Sequence, residues 1–178
     1  MKRVLMGTGL LLSGILAACA PVESSTDPEP DSGPIAFASS FKDFRTWEKF
    51  PIAPGPNGTI HTAGARTEYL NKAPPSGSAS FPVGTIIVKE SDSEPLVDRQ
   101  IFARVKRGGA YNVNGAAGWE WFELANVDAG QVTIIWRGVG PPVGEKYGGD
   151  PNGGCNGCHG AAKDNDFVLT EALLLKSF

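Results

Sequence analysis

The sequence predicts an α+β fold, a single domain with a mostly antiparallel β-sheet and a few short helices. Three observations carry that expectation. Four β-rich runs succeed one another between residues 84 and 137. The links between them are short or turn-like and lack the helical crossovers that parallel strands require. The composition agrees: 23 Gly and 14 Pro in 178 residues supply turns, while 41% apolar and 20% charged residues are ordinary for a globular chain.

The N-terminus reads as an address rather than a fold element. Lys2 and Arg3 precede an apolar run over residues 4–16, which is too short to span a bilayer. Leu16-Ala17-Ala18-Cys19 follows, a string that resembles a bacterial lipobox. It predicts a signal peptide over residues 1–18 and lipidation of Cys19, hence a periplasm-facing membrane lipoprotein of the bacterial cell envelope. Residues 19–34, rich in Pro, Ser, Asp and Glu, read as a disordered tether, and residues 35–178 as the folded domain.

Within the domain, Ser39-Ser40 ahead of Phe41, Phe44 and Trp47 predicts a short capped helix stopped by Pro51. Residues 67–72 fit either strand or helix. The strands follow at 84–90 (GTIIVKE), 100–106 (QIFARVK), 119–125 (WEWFELA) and 131–137 (QVTIIWR). Residues 170–177 (TEALLLKS) predict a closing helix. Between the last strand and that helix, residues 138–160 hold nine Gly and three Pro, so this segment adds little to a core. A long loop of that kind in a small domain is usually functional or disordered.

The loop ends in Cys155-Asn156-Gly157-Cys158-His159, the Cys-x-x-Cys-His attachment signature of c-type haem. Two thiols at this spacing reach both vinyl groups of one porphyrin, and His159 then supplies an axial nitrogen to the iron. A thioredoxin-like dithiol would sit between a strand and a helix N-terminus. Zinc would need further ligands, and a Cys155–Cys158 disulfide would close a small strained ring. The cofactor expected is therefore haem c, packed near the C-terminal motif. Both Met residues lie in the first six positions, so a Met axial ligand is excluded from the mature chain. His61, the remaining imidazole, reads as a loop residue, which leaves the distal side of the iron open. If His61 did ligate, plain electron transfer would be the reading. With a formal charge of −3, the chain gives no support for a nucleic-acid partner.

An ordered set of blocks accompanies the motif. They are Phe44-Arg45-x-Trp47, Ala65-Arg66-Thr67-x-Tyr69-Leu70-Asn71, Phe81-Pro82-x-Gly84-Thr85-Ile86-Ile87-Val88-Lys89-Glu90, Gly118-Trp119-x-x-Phe122 and, after His159, Lys163-Asp164-Asn165-Asp166-Phe167-Val168-x-Thr170. Together they resemble the cytochrome P-460 family over nearly all of residues 41–178. The resemblance implies a homodimer, a c-type haem with an open distal side, and a Lys side chain bonded to a meso carbon of the porphyrin. It also implies oxidation of hydroxylamine, a small nitrogenous substrate, to nitrous oxide or nitric oxide. Electrons would go to an external acceptor such as a soluble c-type cytochrome. The related cytochrome c′-beta proteins imply an alternative, a binding protein for nitric oxide or carbon monoxide without catalysis.

The family's Lys falls on Lys89. From the residues alone, a Lys ending a strand is ordinarily solvated. Yet Thr85, Ile87 and Lys89 share one face and Ile86 and Val88 the other, and neither face is polar. A strand covered on both sides would turn Lys89 inward, where desolvation favours the neutral amine. Phe81 is a candidate distal wall and Arg66 a candidate donor to a haem propionate or ligand. Glu145 and Asp150 are candidate proton acceptors in the loop. Trp119, Trp121, Phe122 and Trp136 read as core and haem-packing aromatics.

Overall fold

A computed structural model describes residues 33–54, 64–93, 95–96, 99–144 and 154–178. The expected signal peptide, Cys19, nearly all of the tether, His61, Glu145 and Asp150 lie outside them. Six strands form one antiparallel sheet in sequence order: β1 (Glu48–Ile52), β2 (Arg66–Leu70), β3 (Ile86–Ser91), β4 (Ile101–Lys106), β5 (Trp119–Asn126) and β6 (Val132–Gly138). The four expected strands are present with ends shifted by one or two residues, and the ambiguous segment near residue 67 is strand β2.

Three expectations need correction. The capped helix is replaced by two 3-10 turns, Ala38–Phe41 and Phe44–Thr46, and its last residues belong to β1 instead. Pro51 is tolerated there because β1 pairs with β2 alone, at the edge of the sheet. The closing helix is two 3-10 turns, Glu171–Leu173 and Leu175–Ser177. So short a C-terminal segment gains more from packing Leu173 and Leu175 into the core than from a helical nucleus. Finally, the Gly-rich segment contains helix at its end: α1 (Cys155–His159), continued by a 3-10 stretch over Gly160–Asn165. Among the described residues, no helix is long and apolar enough to cross a membrane.

Strand periodicity sorts the apolar residues onto two faces. Phe41 and Phe44 from the N-terminal turns cover one face, packing on Tyr69, Ile86, Val88, Val105, Phe122 and Leu124. The C-terminal segment covers the other through Phe167, Val168, Leu173 and Leu175, which pack with Leu70, Ile87, Trp119 and Trp121. A β-bulge moves Trp136 to the second face. Glu123 pairs with Trp136 but its neighbour Leu124 pairs with Ile134, leaving Ile135 unpaired in the ladder. Ile134 therefore packs on the first core and Trp136 in the second.

Candidate functional site

The second face is not filled completely. Between α1 and the sheet lies a partly open cleft of about 430 Å³, lined by Glu68, Ile87, Lys89, Phe102, Arg104, Trp121, Trp136, Cys155 and His159, with Ala103 and Phe122 behind. Its aromatic walls, with a few charged groups set among them, suit a small molecule or cofactor. Register explains the lining. Glu68 on β2 stands opposite Lys89 on β3, Lys89 opposite Phe102 on β4, and Arg104 opposite Trp121 on β5. Directly opposed residues project to the same side, so one row of each strand faces the cleft.

Helix α1 supplies the far wall. Cys155 and His159 are four residues apart, one helical turn, and both line the cleft. Cys158 is exposed on the same helix, and no disulfide joins it to Cys155. The helix is fixed by Asn156, between the two Cys. Its Oδ1 accepts from Asn112 Nδ2 (2.9 Å), Ala116 N (3.0 Å) and Trp121 Nε1 (2.9 Å). Its Nδ2 donates to Asn112 Oδ1 (3.1 Å) and Val139 O (2.9 Å). The fit is close enough that a Cβ on Gly115 would lie 2.2 Å from Asn156 Nδ2.

His159 is held from two sides. Its Nδ1 lies 2.7 Å from Phe167 O. A carbonyl only accepts, so Nδ1 carries the proton and Nε2 the lone pair, the tautomer that ligates a metal. The ring packs against Trp121 with centroids 4.6 Å apart. Beyond it, Arg104 NH1 stands 3.3 Å from Nδ1 and Arg104 NH2 3.4 Å from Glu68 Oε2.

Lys89 is half-buried in the cleft wall with Nζ 6.0 Å from the Phe102 ring centroid. Desolvation lowers its pKa to about 8; Glu68 and Cys155 oppose that shift, and Arg104 and Arg66 add to it. Inward orientation of Lys89, which strand parity allowed, is thus the geometry of β3. The other expected residues are placed differently. Phe81 is in the core, against Trp119 (5.9 Å) and Phe178 (6.4 Å), and does not line the cleft. Arg66 sits at the end of β2, also outside the lining. Trp121 and Trp136 line the cleft, whereas Trp119 lies beneath it in the core.

Sequence reading missed Glu68, Arg104 and Asn156. Parity was the available signal for the first two: Glu68 is in step with Leu70, and Arg104 with Phe102, so each falls on a covered face. Asn156 carried none, because the motif leaves that position open.

The donor set could hold a haem: two thiols one turn apart, an imidazole in the ligating tautomer, and aromatic walls facing them. Among the described residues, no group of three or more His, Cys, Asp and Glu is arranged to hold a bare metal ion. A haem does not need one, because the porphyrin supplies four of the iron's ligands. Comparisons of the chain with protein-family models, curated proteins and solved structures found no match.

Proposed function

We propose that this chain is an exported c-type haem protein, with haem c attached through Cys155 and Cys158 and His159 as axial ligand. We further propose that it oxidises hydroxylamine to nitrous oxide or nitric oxide and passes the electrons to an external acceptor. One observation carries the reading: His159, held by Phe167 O with Nε2 in its ligating form, shares a cleft with Cys155 and with Lys89 on the opposing strand. Haem held there by Cys155, Cys158 and His159 would supply a redox-active iron.

The remaining roles belong to the chain. Trp121, Trp136 and Phe102 make the walls apolar and limit water around the reacting molecule. Hydroxylamine loses protons with its electrons, so an acceptor is needed in reach. Glu68, on the cleft wall, is a candidate alongside Glu145 and Asp150. With a pKa of about 8, the Lys89 amine is about one-tenth neutral at pH 7 and can act as a nucleophile toward the porphyrin edge. The lipobox sequence at Cys19 supports a membrane-anchored, periplasm-facing protein, and the family resemblance supports a homodimer.

The test is proteolysis of the purified holoprotein and mass analysis of every haem-bearing peptide. Haem joining the Cys155/Cys158 peptide to the Lys89 peptide is expected. Haem on the Cys155/Cys158 peptide alone would shift the reading to a nitric oxide or carbon monoxide binding cytochrome, and its absence there would end both. Lys89→Leu is expected to keep haem and lose hydroxylamine turnover; unchanged turnover would remove Lys89 from the mechanism.

A further inference from the structure

Among the described residues, Arg104 carries the buried side-chain polar atom that lacks a hydrogen-bond partner, its Nε. The residue is 5% exposed. Among the described residues its polar contacts are two long ones, 3.4 Å to Glu68 Oε2 and 3.3 Å to His159 Nδ1, and its Cζ stands 5.9 Å from the Trp119 ring centroid. A guanidinium stays protonated under such conditions, so a positive charge is fixed beside the imidazole.

The contact with His159 is not a conventional hydrogen bond. Phe167 O accepts the Nδ1 proton, so Nδ1 has no lone pair in the ring plane to offer Arg104 NH1. What remains is a cation set against the back of the ring. Metal-binding histidines commonly give this N–H to a carboxylate or a carbonyl, and a carboxylate makes the ligand more basic. Here the carbonyl is present, but the charge beside it has the opposite sign. Glu68, the carboxylate of the group, lies on the far side of the guanidinium.

We propose that Arg104 sets a fixed positive charge against His159, whose imidazole Phe167 O holds Nδ1-protonated, and so raises the reduction potential of the iron that His159 would ligate. This rests on the haem reading given above. The charge acts by disfavouring the more positive, oxidised iron, and Glu68 tempers it by partial neutralisation. A raised potential suits an iron that must take electrons from its substrate and hand them on.

The experiment measures the midpoint potential of purified holoprotein by spectroelectrochemical titration at fixed pH, after peptide mass has confirmed haem on Cys155 and Cys158. Arg104→Gln is expected to lower the potential and Glu68→Gln to raise it. Arg104→Lys, which keeps the charge, is expected to stay near the wild type. A potential that is unchanged or higher in Arg104→Gln would overturn the proposal. If that variant does not accumulate, Glu68→Gln decides alone, and an unchanged or lower potential there overturns it as well. A wild-type chain without haem would overturn the haem reading and this inference together, whereas haem-loaded variants at constant potential would overturn only this one.

Discussion

The charges buried beneath the N-terminal turns and those that line the cleft are partnered in opposite ways. On the face covered by the N-terminal turns, Glu90 and Glu120 are 0% and 3% exposed, yet each is clamped. Glu90 accepts from Arg45 Nε (3.1 and 3.2 Å) and NH2, from Arg99 NH1 (3.4 Å) and from Tyr69 OH (3.3 Å). Glu120 accepts from Arg107 NH1 (2.9 Å) and from Arg137 Nε and NH2 (2.7 Å each). The same arginines tie down the chain's entry, Arg107 through Gly33 O and Arg137 through Ala36 O. On the cleft face, Arg104 and Glu68 share one long contact, and Lys89 has been driven toward its neutral form. Fully partnered buried charges specify and hold a fold, while under-partnered ones are available for chemistry.

That contrast can be broken. The largest expected effect is Glu120→Ala, which leaves buried Arg107 and half-buried Arg137 without their carboxylate and should cost about 3–5 kcal/mol in urea unfolding. A loss below about 1 kcal/mol would mean the clamped face is not what holds the fold. Asn156→Ala should come next, at roughly 2–3 kcal/mol, because it strands several donors and acceptors between α1 and the sheet. Arg104→Met should change stability by less than about 1 kcal/mol, since Arg104 has only long contacts to lose and already keeps an unpartnered buried Nε. A loss as large as that of Glu120→Ala would erase the difference between the faces.

The smallest effect is a trend with pH. The folded pKa of Lys89, about 8, lies below its ordinary 10.5. Between those values the unfolded chain binds more protons, so wild-type stability gains with rising pH. Lys89→Met lacks this contribution. It should be the more stable of the two below pH 8, with the gap closing toward pH 10.5, and solvent at the open side of the cleft keeps the gap small. Parallel stability curves for the two proteins would show that the amine is not desolvated.

Much of this was readable from residues in order. Strands β3 to β6 announced themselves because alternation and β-branching are local properties, and parity alone allowed Lys89 to share a face with Ile87. The Cys-x-x-Cys-His spacing was legible for the same reason, since both thiols and the imidazole lie within five residues. Strand β1 was not legible: Glu48–Ile52 contains Pro51 and borrows its conformation from β2, which a local reading cannot see.

What the sequence by itself determined is the strand-rich class, the donor set of the motif and the parity of each strand. The tertiary structure decided the rest, because a side chain's chemistry depends on what stands opposite it. Register set Glu68 against Lys89 and Arg104 against Trp121, a single bulge turned Trp136 toward the cleft, and Asn156 docked α1 so that His159 reached both Phe167 O and Arg104. Apart from Phe167, eight residues after His159, those partners are distant in sequence, and desolvation, which lowers the pKa of Lys89, exists only once the fold has closed around it.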